Sequence, residues 1–123
     1  MSVDKSILIV DDSSVWTERV TQIVKELKNV THIHYATNYQ EAIEKIQTTR
    51  PDIVLLDISL PDKNGIELIK IFRKKFPSIL LIMVTNYADE FYRSLSKKLG
   101  ADHFIDKSNE FDQIAGIIEN DPG

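Results

Sequence analysis

The sequence predicts an α/β domain in which five strands alternate with five helices, (βα)5. Three observations carry this prediction. Short apolar runs recur along the chain, stripes of apolar residues at 3.6-residue spacing separate them, and turn or cap residues stand at most of the junctions.

The first strand is Ile7–Val10, an uninterrupted apolar run. Val20, Ile23, Val24 and Leu27 follow on one helical face. A second, more polar strand is centred on Ile33–Tyr35 in "THIHY". Asn38 is placed to cap the second helix, whose apolar face is Tyr39, Ala42, Ile43 and Ile46. The third strand is Ile53–Leu56. Asn64-Gly65 makes a turn before the third helix, which carries Leu68, Ile69, Phe72 and Phe76 and stops at Pro77-Ser78. Ile79–Val84 is the fourth strand, and Phe91, Leu95 and Leu99 mark the fourth helix, with Gly100 at its C-terminal cap. Phe104–Ile105 is a short fifth strand. Ser108 is placed to cap the last helix, with Phe111 at its third helical position and Ile114, Ala115 and Ile118 on the same face. Asn120 to Gly123 reads as a loose end.

Strands joined through helices are parallel, and continuous apolar strands belong to a sheet covered on both faces. The three strongest runs are expected at the centre and the second and fifth strands at the edges. That is the flavodoxin-like strand order 2-1-3-4-5, in which ligands sit beyond the carboxyl ends of the strands.

Composition narrows the function. One domain, residues 1–123, is expected from 123 residues with 42% hydrophobic and 28% charged side chains. A net charge of −4 gives no general affinity for nucleic acid or anionic membranes. The absence of cysteine excludes disulfides, thiolate metal sites and cysteine nucleophiles. The longest strictly apolar run, Ile79 to Val84, is too short to cross a bilayer, and "MSVDKS" lacks a signal pattern, so the expected location is the cytoplasm.

The chemistry lies at the strand ends. Asp11 and Asp12 follow the first strand, Asp57 the third, Thr85 the fourth and Lys107 the fifth. Each has an ordinary explanation alone: a helix cap, a turn, a solvated lysine. Together, the topology brings three carboxylates, a hydroxyl and an ammonium to one edge of the sheet. Clustered carboxylates call for a hard divalent cation, and Mg²⁺ suits a site that also takes phosphate. A carboxylate can attack phosphorus to form an aspartyl phosphate, a reaction that needs mainly positioning and charge neutralisation.

The segments "ILIVDDS", "RPDIVLLDISLPDKNGIEL", "IMVTN" and "GADHFIDKS" make the whole chain resemble the CheY-like receiver domain of two-component response regulators. The resemblance implies that Asp57 is the phosphoacceptor. It implies Mg²⁺ ligation by Asp12, by Asp11 largely through water, by Asp57 and by the Ser59 backbone carbonyl. Thr85 and Lys107 would contact the phosphoryl oxygens, and Phe104 would be the aromatic switch whose inward rotation accompanies movement of Thr85. The implied donor is a histidine kinase or histidine phosphotransfer protein. The implied output is altered binding of a protein target to the face of the fourth helix, fifth strand and fifth helix, as a monomer or a phosphorylation-linked dimer. The chain would catalyse only its own phosphorylation and dephosphorylation.

Two positions depart from the family pattern. Phe104 stands where tyrosine is frequent, and Ser108 follows Lys107 where a proline with a cis bond is usual. Ser59 and Tyr87, two residues after Asp57 and Thr85, occupy positions that tune dephosphorylation in the family. Competing readings are a Mg²⁺-dependent phosphatase with an aspartate nucleophile, a receiver cut from a larger DNA-binding regulator, and a protein-binding pseudo-receiver. The phosphatase reading wants a second aspartate where Ser59 stands, and a pseudo-receiver would have lost acidic residues kept here. His32 and His34 alternate on one strand face without an evident third ligand, so edge polarity explains them. His103 reads as an exposed strand residue. The runs Arg73-Lys74-Lys75 and Lys97-Lys98 read as solvated helix ends, and Trp16 as packing near the metal site.

Overall fold

A computed structural model describes residues 4–86 and 90–121. The elements are β1 (Lys5–Val10), α1 (Ser14–Val24), β2 (Val30–Ala36), α2 (Tyr39–Thr49), β3 (Ile53–Asp57), α3 (Ile66–Lys75), β4 (Leu80–Thr85), α4 (Glu90–Leu99), β5 (His103–Asp106) and α5 (Gln113–Glu119). The five strands are parallel and ordered β2-β1-β3-β4-β5, the flavodoxin-like arrangement expected.

Alternation along the strands splits the core into two layers. Leu8, Val10, Val54, Leu56, Leu81 and Met83 pack against α2 and α3. Ile7, Ile9, Ile53, Leu55, Ile82 and Val84 pack against α1 and α5. β1, β3 and β4 are buried on both faces, which is why they read as unbroken apolar runs. No helix among the described residues is long and apolar enough to cross a membrane.

Local signals explain several boundaries. Ser13 caps α1 through its hydroxyl, which accepts from the Trp16 N–H, and the Asn38 side chain accepts from Glu41 to cap α2. The Asp62 carboxylate also accepts from the Tyr39 and Gln40 N–H groups, tying the loop after β3 to the start of α2. Gly100 follows α4 at φ 120°, a conformation that side chains rarely adopt.

The structure corrects five expectations. α5 begins at Gln113, not after Ser108; the Asp106 carboxylate accepts from the Ser108 N–H and holds Ser108 in a turn instead. The inner face of α4 is Tyr92, Ser96 and Leu99, while Phe91 is 68% exposed. β2 runs from Val30 to Ala36, longer than the apolar residues suggest, because ladder bonds to β1 do not depend on side-chain polarity. Asp121 is not loose: it pairs with buried Lys5 at 2.7 Å, and its carbonyl accepts a second bond from the same ammonium. Arg73 is not a solvated charge. Its guanidinium donates to the carbonyls of Gly100, Pro77 and Ile79 and to the Asp102 carboxylate.

Ser96 is fully buried, and its hydroxyl has no hydrogen-bond partner among the described residues. An unsatisfied buried hydroxyl is costly, and alanine is the better helix former. Ser96→Ala is therefore expected to raise stability by about 1–2 kcal/mol in urea unfolding. A loss of stability would show that the hydroxyl is partnered in solution.

Candidate functional site

Sheet register builds the site. Val10 pairs with Leu56, so Asp11 and Asp57 leave neighbouring strands at the same level. Asp57 pairs with Val84 and Thr85 with Asp106, and the Lys107 N–H donates to the Thr85 carbonyl at 3.0 Å. The four strand ends therefore finish side by side, and the side chains of Asp11, Asp12, Asp57 and Lys107 come together there, with Thr85 ending β4.

Asp11, Asp57, Thr85 and Lys107 are buried, whereas Asp12 is exposed. The Asp11 carboxylate accepts from the Ser13 N–H at 2.8 Å through one oxygen and from the Lys107 ammonium at 2.5 Å through the other. Lys107 is 3.6 Å from Asp57. Asp57 accepts from the Ser59 N–H at 3.3 Å. Burial pushes the Asp57 carboxyl up to about 6, the Asp11 charge adds to the rise, and Lys107 and the Ser59 N–H pull against it. Burial, more than repulsion between the carboxylates, is thus the larger cause of the rise.

Ligand oxygens of Asp11, Asp12 and Asp57 lie within 4.8 Å of one another, the only such cluster of metal-binding side chains among the described residues. Three carboxylates at that spacing, two buried and one open to solvent, fit a hard cation that keeps some of its water. The loop after β3 folds back so that Ser59 bridges Asn64, with the Gly65 N–H on the Ile58 carbonyl at 2.6 Å. His32 and His34 lie on edge strand β2 with parallel rings 6.5 Å apart, away from this cluster.

Phe104 is buried in β5. The Arg93 guanidinium lies 4.8 Å from its ring, donates to its carbonyl and pairs with Glu110 at 3.0 Å. The Asp106 N–H, then Arg93, hold the Glu110 carboxyl below its usual range. Arg93 and Glu110 are 17 residues apart and escape any periodicity argument. The Lys107–Ser108 bond is trans. Tyr87 lies outside the described residues.

A parallel sheet in this order, with acidic residues and a lysine at its carboxyl edge, defines a receiver-type domain. The chain belongs to the response regulator receiver domain family, whose model matches residues 7–119. It is 32% identical over 112 residues to the transcriptional regulatory protein LnrK of Bacillus subtilis, covering 91% of this chain and 51% of that protein. It is 33% identical over 110 residues to a protein-glutamate methylesterase/protein-glutamine glutaminase of Idiomarina loihiensis, covering 89% of this chain and 28% of that protein. The chain thus spans about a half and about a quarter of those relatives. Among solved structures, the CheY-like receiver domain protein of Methanospirillum hungatei superposes with a TM-score of 0.77 at 33% identity, covering 96% of this chain and 93% of that one. The response regulator domain of Thermotoga maritima CheB gives 0.81 at 29%, covering 96% and 91%.

Proposed function

We propose that this chain is a phosphoacceptor receiver whose Asp57 takes a phosphoryl group from the histidine of a kinase or phosphotransfer protein. The observation that carries this reading is the buried Asp57 carboxylate, level with Asp11 and 3.6 Å from the Lys107 ammonium. In the transfer, an Asp57 oxygen forms a bond to phosphorus, the donor's phosphorus–nitrogen bond breaks, and the ring nitrogen keeps the electron pair. Asp11, Asp12, Asp57 and the Ser59 carbonyl would hold Mg²⁺. The ion, when bound, neutralises phosphoryl oxygens and relieves the repulsion among the carboxylates.

The protein's own groups do the rest. Lys107, bonded to Asp11 and within reach of Asp57, supplies a positive charge to a phosphoryl oxygen. Thr85, at the end of β4, supplies a hydroxyl. The phosphoryl group carries about two negative charges where the Asp57 carboxylate carried one, which draws Lys107 from Asp11 and shifts the balance of contacts at the end of β5. Phe104 and its Arg93–Glu110 cover lie on that strand and its flanks, so the face of α4, β5 and α5 is the natural place for a partner to sense the change. The receiver itself turns over no substrate.

Incubation with acetyl phosphate and Mg²⁺ tests this reading. Intact-mass measurement is expected to show a gain of one phosphoryl group, suppressed by EDTA. No gain in the folded, metal-supplied protein would overturn it.

A further inference from the structure

Lysine is a point charge on a flexible stem, yet Lys107 is only 8% exposed and its ammonium is held on more than one side. Asp11 takes one side. The Trp16 indole takes another, with the Lys107 ammonium 4.7 Å from its ring centroid. Trp16 is in turn set by Phe111, whose ring meets it nearly edge-on at 6.1 Å and 78°. The Arg19 guanidinium covers Phe111 at 4.1 Å. α1 and the turn after β5 are thus joined through aromatic faces beside Lys107.

The indole is a costly wall. It is more than nine-tenths buried, and its N–H has no partner among the described residues. A leucine or methionine would fill an apolar wall without stranding a donor. What the indole offers instead is the strongest π face for a cation. We infer that Trp16 is a positioning residue that holds the Lys107 ammonium between Asp11 and Asp57 through its indole face. The inference deepens the phosphoacceptor reading and rests on it for its kinetic consequence, but the contact itself can be read without phosphorylation.

Two measurements separate the two. Trp16 is the chain's single tryptophan, so tryptophan emission reports on this indole and its immediate neighbours alone. Lys107→Met is expected to shift the resting emission maximum; an unchanged spectrum in a folded variant overturns the inference whatever the phosphorylation result. The second measurement is the rate of phosphoryl uptake from acetyl phosphate with Mg²⁺, followed by intact mass in a double-mutant cycle. Trp16→Leu is expected to slow uptake roughly three- to thirtyfold, and Trp16→Phe to recover most of it. In the Lys107→Met background, Trp16→Leu should change the residual rate by less than about twofold. An equal loss in both backgrounds would mean that Trp16 acts only through packing. If the wild type takes up no phosphoryl group, the phosphoacceptor reading fails, while the fluorescence comparison still decides the contact.

Discussion

Asp57→Asn is expected to abolish phosphoryl uptake and, at the same time, to make the metal-free protein more stable at neutral pH by about 2–3 kcal/mol. The opposite signs have one cause. The wild-type carboxyl is pushed from 3.8 up to about 6, first by burial and then by the charge of Asp11. Below about pH 4 it is protonated in both the folded and the unfolded chain and has no effect on their balance. Between about 4 and 6 the folded protein keeps the proton that the unfolded chain releases, so stability falls as pH rises. Above about 6 the penalty is complete and flat. The difference in unfolding free energy between wild type and Asp57→Asn, measured in urea with EDTA, should therefore grow from pH 4 to 6 and then level off. Mg²⁺ should reduce it. A constant difference across that range would show that Asp57 is not strained by its surroundings.

Gly65→Ala is expected to destabilise the fold by about 3 kcal/mol and to damage the site with it. The reason is space, since Gly65 has φ −69°, which any residue adopts. A Cβ there would land on the backbone carbonyl of Asp57, with the Asp57 carbonyl carbon at 3.2 Å and the Ile58 Cα at 3.3 Å. None of these is the yielding end of a side chain. To admit a methyl group the loop must open, breaking the Gly65 N–H bond to the Ile58 carbonyl and moving the segment that carries Ser59. Urea unfolding and phosphoryl uptake should fall together in this variant. Wild-type stability would mean that the loop between Asp57 and Gly65 is softer than its packing implies.

The sheet and most of the acidic site are legible in the order of residues along the chain. Ile7–Val10, Ile53–Leu56 and Ile79–Val84 are apolar on both faces because they lie at the centre of a parallel sheet. Parallel register then brings whatever follows them to one edge, so the sequence order of these runs already groups Asp11, Asp57, Thr85 and Lys107. Asn38 and Gly100 were legible for a similar reason: capping and left-handed backbone are local needs.

Which charges are structural depends on contacts between segments distant in sequence. Arg73 and Arg93 look like surface cations along the chain, yet one gathers carbonyls from two loops and the other covers Phe104. Lys5 and Asp121 are 116 residues apart, and Trp16 and Lys107 lie on segments that are distant in sequence. Phe91 and Tyr92 are neighbours on α4, and packing against α3 and β5 settles which of them turns inward. Apolar periodicity records the burial of a face, a property repeated every few residues. A single charge meeting a carbonyl or a ring leaves no repeat, and its partner is decided by where the folded backbone brings distant segments into contact.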